Sequence, residues 1–203
     1  MIIAILNRMR IVIDGNIASG KSTQFDLLQK QGFSVLSERI YDWPLELFYQ
    51  DPSRWALLLQ FSILKSFDDD AIIFERSPES SRDVFWKMLL EDGTVKHQED
   101  DVYQYFWKKN GWKPDVYIYI DTPPTVCYWR LFSRRQVGDS CVSIDYLRKV
   151  DGYYKKYLEG KDVHIIDGTL TTTEINNSIL AILRRCFKDV QALPGQDQNA
   201  SEV

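Results

Sequence analysis

Residues 15–22 read GNIASGKS, with a short Val and Ile run before them and the helically spaced TQFDLLQK after. A G-x-x-x-x-G-K-S sequence in that setting asks for a strand, a glycine-bearing loop and a helix, in that order. The glycines let successive backbone N–H groups turn inward on phosphate oxygens, and the helix N-terminus adds partial positive charge. On this reading Gly15, Asn16, Ile17, Ala18, Ser19, Gly20, Lys21, Ser22 and Thr23 form a phosphate cradle. Lys21 reaches the terminal phosphates and Ser22 offers its hydroxyl to Mg²⁺. A plain glycine turn would not call for the Lys-Ser pair.

The cradle needs a sheet to stand on, and the chain supplies apolar runs at 10–15, 33–38, 71–77, 115–122 and 163–168. Runs of this kind are continuous in Val and Ile, not alternating, and so read as strands buried on both faces. Helical patterns separate them. The segment DPSRWALLLQFSILKSF opens with Asp51 as N-cap and Pro52 at the first helical position. QEDDVYQYFWKKNG places acids first, lysines last and a glycine after, and TTTEINNSILAILRRCF is a final amphipathic helix. Strands alternating with helices predict an α/β fold with a central, roughly five-stranded parallel sheet and right-handed crossovers. The 203 residues suit one domain, taken as 1–190, followed by a polar tail, 191–203, expected to be disordered.

Composition narrows the partners. A net charge of −4 argues against a general nucleic-acid surface. Three well-separated cysteines suggest neither a disulfide framework nor a zinc site, and two histidines leave little for a histidine-based centre. The opening MIIAILNRMR is too short to span a bilayer and lacks the order of a secretory signal, so it reads as a lead-in to the first strand. A cytoplasmic protein without membrane contact is the expectation.

In open α/β sheets ligands bind at the carboxyl ends of the strands. The second strand ends near Glu38 and the third in Glu75, Arg76 and Ser77. Phosphoryl transfer needs a group to take the acceptor's proton, a cation to offset the moving charge and a carboxylate to help seat a metal. Glu38, Arg76 and Glu75 provide one of each, although Glu38 and Arg76 also suit an ion pair at the sheet rim. Gln60, Ile63, Leu64 and Phe67 share one helix face. That stripe is an ordinary core face with Gln60 at its margin, or a wall whose amide meets the edge of a nucleobase. Arg130, Arg134 and Arg135 fit a segment closing over phosphates, and equally a solvated basic face.

Taken in order from about residue 10 to 158, the motifs GNIASGKST, SERIYDW, LELFYQDPSRWALLLQ, ERSPESSRDVF and DSCVSIDYL resemble those of the deoxynucleoside kinases. This family includes insect multisubstrate, mitochondrial thymidine and deoxycytidine kinases. The resemblance implies a P-loop kinase fold with an arginine-bearing lid, ATP as phosphate donor, Mg²⁺, a small deoxynucleoside acceptor and a homodimer. It implies Glu38 as the base for the 5′-hydroxyl, with Arg76 beside it, and Glu75 as a metal-holding acid. Tyr49 and Asp139 match the pair that binds the sugar 3′-hydroxyl, and Gln60 the glutamine that pairs with the base. Trp43 and Phe85 match the aromatic walls, and Arg130 and Arg134 lid arginines. Gln136 stands where a further lid arginine is usual, Asp139 is one methylene shorter than the usual Glu, and Pro78 replaces an ordinary residue. Phe67 and Ser81 match positions where charged residues accompany purine or cytidine preference, so Ile63, Phe67 and Ser81 lean toward a pyrimidine, thymidine first. The short chain and trimmed loops look like a viral or otherwise compact member.

Two rivals share the cradle. A thymidylate kinase would carry Asp-Arg after the third strand and extra cations for its acceptor's phosphate. A nucleotide-dependent switch would need an Asp-x-x-Gly loop, for which IDGT at 166–169 comes too late in the chain.

Overall fold

The computed structural model describes residues 9–67, 70–136 and 138–191. The lead-in at 1–8 and the tail at 192–203 lie outside the described residues. The predicted strands form one five-stranded sheet in the order β2-β3-β1-β4-β5. They are β1 (Ile11–Gly15), β2 (Val35–Leu36), β3 (Ile73–Glu75), β4 (Val116–Asp121) and β5 (His164–Asp167), and every pairing is parallel. β1 lies at the centre because its five residues are buried on both faces. The chain moves to one side of β1 for β2 and β3, then to the other for β4 and β5. The carboxyl end of β1 is therefore a switch point, where such sheets leave a crevice.

Side chains alternate across the sheet. Ile11, Ile13, Ile73, Ile118 and Ile120 face α1 (Lys21–Lys30) and α9 (Thr172–Gln191), packing on Phe25, Leu28, Ile175, Ile179 and Leu183. In α9 the last three recur every fourth residue, the spacing that keeps one face against the sheet. Each such buried Ile or Leu contributes roughly 1.5–3 kcal/mol. On the opposite face Val12, Phe74, Tyr117 and Tyr119 meet Val84, Met88, Val150 and Tyr154. These come from a π-helical stretch, Ser81–Trp86, from α5 (Lys87–Glu91) and from α8 (Ile144–Leu158). The short α4 (Pro78–Ser80) leads into the π turn and is capped by Ser77.

An outer cluster joins α2 (Leu45–Gln50), α3 (Pro52–Lys65) and α6 (His97–Asn110) through Phe48, Leu59, Trp86 and Tyr103. Asp51 caps α3 as predicted, its carboxylate accepting from the Arg54 N–H, with Pro52 next in line. α7 (Pro124–Arg134) packs over the cradle through Cys127 and Leu131.

Three expectations change in the structure. β2 is only two residues long, because the chain leaves the sheet to carry Glu38 toward β3. β5 is an edge strand, with Ile165 65% exposed, and is not buried on both faces. Gly111 ends α6 in extended backbone (φ −77°, ψ 151°), not in a left-handed cap.

Candidate active site

The ends of β1, β2 and β3, the π turn, α2, α3 and α7 enclose one cavity of about 840 Å³. It runs from the cradle at one end to Gln60 and Phe67 at the other.

At the cradle, Gly15 has φ 154°, and a Cβ there would lie 2.6 Å from Ser19 Oγ and 2.7 Å from the Ile120 carbonyl. Only glycine lets the loop fold this closely against β4. Asn16 is wholly buried, and its Nδ2 donates to the Leu147 carbonyl of α8 at 2.9 Å. Gly15 and Asn16 thus stand behind the cavity wall, while residues 17–23 line it. Ala18 adopts a left-handed φ of 59° within the loop. Lys21 Nζ donates to the carbonyls of Gly15 and Asn16, at 3.2 and 2.9 Å. Burial, followed by the charge of Arg76, lowers its pKa.

Beside the cradle, Ser22 Oγ donates to Glu75 Oε1 at 3.2 Å, and Glu38 N–H to Glu75 Oε2 at 3.2 Å. Burial and then the neighbouring Glu38 charge raise the Glu75 pKa. Two hard oxygen donors therefore meet where a carboxylate is short of positive charge, which suits a Mg²⁺ that keeps most of its shell for phosphate and water. Among the described residues no group of three or more His, Cys, Asp or Glu could form an all-protein metal cage.

Arg76 joins the ends of three strands. Its Nε donates to Glu38 Oε1 at 2.7 Å, and its Nη1 to Asp14 Oδ1 at 3.1 Å and the Gly15 carbonyl at 3.0 Å. Nη1 also meets the Tyr154 hydroxyl. Its guanidinium carbon lies 4.8 Å from the centre of the Phe85 ring. Burial opposes its charge, but Glu38, Tyr154 and Asp14 raise its pKa well above the usual value. The backbone at Arg76 is left-handed, φ 67°. Such a conformation at a large residue costs about 1–3 kcal/mol and persists where the surroundings over-determine it.

At the far end Gln60 is 3% exposed and accepts from Ser81 Oγ at 2.9 Å. Trp43, Ile63, Phe67 and Phe85 complete the apolar walls. Phe67 is held edge-on to Trp112, and the buried Trp43 Nε1 has no hydrogen-bond partner among the described residues. Ser81 and Phe85 both stand on the π turn, a distortion often found at functional sites. Tyr49 and Asp139 line the cavity near its middle. Burial, then Cys141 and Asp139, push the Tyr49 hydroxyl up to about 12.

The three arginines after β4 part company. Arg130 is anchored, Nη1 donating to the Ser19 carbonyl at 2.8 Å and Nη2 to the Gly168 carbonyl at 2.9 Å. Arg134 forms a two-pronged pair with Asp139, both contacts 2.9 Å, and Gln136 N–H donates to the same carboxylate at 2.8 Å. Arg135 lies outside the lining and is turned toward Phe132. The helix ends at Arg134, and the left-handed backbone of Arg135 (φ 51°, ψ 46°) turns it away from the stripe that Arg130 and Arg134 share.

Three residues of this network are absent from the sequence reading: Asp14, Tyr117 and Tyr154. Tyr117 and Tyr154 both donate to Asp14, at 2.6 and 2.7 Å. A charged residue inside the apolar run RIVIDG was the available signal for Asp14. The tyrosines carry none, since nothing local separates them from core aromatics.

The comparisons with known proteins bear on the family and the fold. A family model described as "Deoxynucleoside kinase" matches residues 11–190. A protein of Invertebrate iridescent virus 3 named as a kinase, 029R, is 33% identical over 186 residues, covering 86% of this chain and 96% of its own. "Thymidine kinase 2, mitochondrial" of Homo sapiens is 27% identical over 168 residues, 73% of this chain and 63% of that protein. The solved structure of a deoxyadenosine kinase from M. mycoides with bound dCTP superposes with a TM-score of 0.76. It is 20% identical, covering 87% of this chain and all of that one, and so shares the fold. No helix among the described residues is long and apolar enough to cross a membrane.

Proposed function

The chain belongs to the deoxynucleoside kinase family, and on that premise we propose that it phosphorylates the 5′-hydroxyl of a pyrimidine deoxynucleoside, thymidine first, with ATP as donor. The observation that carries this reading is the Glu38–Arg76 pair, 2.7 Å apart, standing in one cavity between a phosphate cradle and the Gln60–Ser81 amide site.

The roles follow from those positions. The cradle and Lys21 hold the donor phosphates, with Lys21 leaving its loop carbonyls to do so. Gln60 meets the base edge, Trp43 and Phe85 flank the ring, and Tyr49 with Asp139 receives the sugar 3′-hydroxyl. As the bond from the γ-phosphorus to the ADP oxygen breaks, a bond to the 5′-oxygen forms, and the hydroxyl proton passes to Glu38. Arg76 and the arginines of α7 offset the charge on the transferring group. Ser22 and Glu75 would hold Mg²⁺, which when bound neutralises charge on the donor phosphates.

Two features support a pyrimidine nucleoside. Phe67 and Ser81 put no charge at the base end, and the Ser81 hydroxyl fixes which way the Gln60 amide faces. The cavity cations among the described residues, Lys21, Arg76, Arg130 and Arg134, are each already engaged with carbonyls or carboxylates. On this reading all four serve the donor and the transferring phosphoryl group, which leaves none among the described residues for a phosphate on the acceptor, as a thymidylate kinase would need.

We extend the proposal to one domain over residues 1–190, a cytosolic location and a homodimer. The outer face of α3 and α6 favours the last, since Leu58, Val102, Tyr105 and Phe106 are all exposed there.

The test is transfer of phosphate from ATP with Mg²⁺ to thymidine, deoxycytidine, deoxyadenosine, deoxyguanosine and thymidine monophosphate. Thymidine leading is the expected result. Purine preference would refute the argument from Phe67 and Ser81, and turnover of the monophosphate alone would refute the acceptor assignment.

A further inference from the structure

Asp14 is the penultimate residue of β1, one residue before the cradle, and is 0% exposed. A buried carboxylate is costly unless its oxygens are occupied, and here both are. Oδ1 accepts from Gly15 N–H at 2.7 Å, from the Tyr154 hydroxyl at 2.7 Å and from Arg76 Nη1 at 3.1 Å. Oδ2 accepts from the Tyr117 hydroxyl at 2.6 Å. Burial alone would favour the protonated acid, but Arg76 and Lys21 outweigh it and hold the group below the ordinary range.

The partners come from β1, the residue after β3, β4 and α8, and they converge on the Asp14 carboxylate; one of them, Arg76, carries the arrangement outward. One edge of its guanidinium faces inward to Asp14, Tyr154 and the Gly15 carbonyl, while Nε faces outward to Glu38. A guanidinium is planar, so fixing Nη1 also fixes the direction of Nε–H. The same cation is bonded to the first residue of the cradle. The left-handed backbone of Arg76 aims its side chain back under β1, where Asp14 stands.

We infer that Asp14, with Tyr154 as its support, is a positioning residue that sets Arg76, and through Arg76 sets Glu38 relative to the phosphate cradle. This rests on the reading of Glu38 as the base, but the bond it concerns exists in the free protein and can be observed there. Glu38 lies on the loop after a two-residue strand, and its carboxylate is bonded to Arg76 and its N–H to Glu75. Left to that loop, the carboxylate would sample many directions. Held by Arg76, it keeps one, and a misplacement of about 1 Å at such a site can lower turnover about a hundredfold.

The test compares Asp14→Asn and Tyr154→Phe with the wild-type full chain, and uses Tyr119→Phe as control. Tyr119 lies on the same sheet face and packs on Tyr154, but makes none of the bonds to Asp14. The first readout is hydrogen-exchange protection of the Arg76 Nε–H in ligand-free protein, assigned by its loss in Arg76→Lys. The second is the split between kcat and the KM for ATP. The expected result is protection lower by about tenfold or more in Asp14→Asn and less in Tyr154→Phe, with kcat falling by about the same factors and KM for ATP within about twofold. Tyr119→Phe should change neither. Unchanged protection and unchanged kcat in the folded variants would overturn the inference. If Asp14→Asn fails to fold, Tyr154→Phe, which removes one oxygen, carries the test. A wild type that transfers no phosphate, yet whose Arg76 loses protection in the variants, would refute the proposed function and leave the positioning role standing.

Discussion

At the scale of single residues, the site depends on carboxylates whose surroundings push them in different directions. Glu38 bonds to Arg76 from a partly exposed position, whereas Glu75 is buried beside it with only modest compensation. For the proposed base, Glu38→Gln should keep nucleoside binding and lose about 10²- to 10⁴-fold in kcat, the usual range for a general base. Single-turnover kinetics with equilibrium binding of the nucleoside would check this, and near-normal kcat would refute the assignment. Glu75 makes a pH-dependent case. Its folded-state pKa lies above the usual carboxylate value of 4.5 because burial and Glu38 disfavour its charge. The folded state therefore binds more protons than the unfolded one between those two values, and stability contributed by Glu75 is lost as pH rises through that window. Glu75→Gln should thus raise the thermal midpoint of ligand-free protein near about pH 8, with the gain shrinking toward about pH 5. Mg²⁺ should stabilise wild type more at the higher pH and scarcely affect the variant, both seen by calorimetry. Asp14 has the opposite sign. Its lowered pKa contributes stability above the ordinary range, lost as pH falls through the folded value.

At the scale of elements, the turn after β5 is tied to the cradle by contacts that no local pattern announces. Thr122 Oγ1, just past β4, donates to the Ser19 carbonyl at 3.0 Å, and Arg130 donates to that carbonyl and to Gly168. A Cβ at Gly168 would fall 1.8 Å from Thr122 Oγ1, so the turn can approach only as glycine. Gly168→Ala should cost about 1–3 kcal/mol, the range for overpacking a tight contact, measured by urea unfolding. Adding Thr122→Ala should recover part of that loss, because the two side chains compete for one space. The cap of α3 and the stripe of α9 were legible, since each depends on neighbours within a turn or two. The exposure of β5 was not, because a run of VHII reads alike at the edge and the centre of a sheet.

At the scale of the whole molecule, the outer face of α3 and α6 remains uncovered. Phe61 on α3 packs edge-on to Phe106 on α6 at 4.9 Å, and Leu58, Val102 and Tyr105 leave apolar surface beside them. If this face joins two copies, Leu58→Glu with Phe106→Glu should halve the mass found by light scattering while retaining far-ultraviolet dichroism. An unchanged mass, whether monomer or dimer, would rule out this face as the interface.

The amino-acid order by itself determined the glycine-bearing loop between strand and helix and the alternation of strands and helices, and it brought Glu38, Glu75 and Gln60 forward as candidates. Each rests on short-range chemistry: a loop that glycines allow, a cap beside its helix, a charge at the end of an apolar run. The tertiary structure decided which charges meet. Arg76 reaches Asp14 across 62 positions and Tyr154 reaches the same carboxylate across 140. It separated Arg130, Arg134 and Arg135, alike in sequence, into a clamp, a partner for Asp139 and a residue outside the cavity. The physical reason is that buried charges must be paired wherever strand order brings them, and strand order is set by packing of the whole sheet rather than by neighbours along the chain.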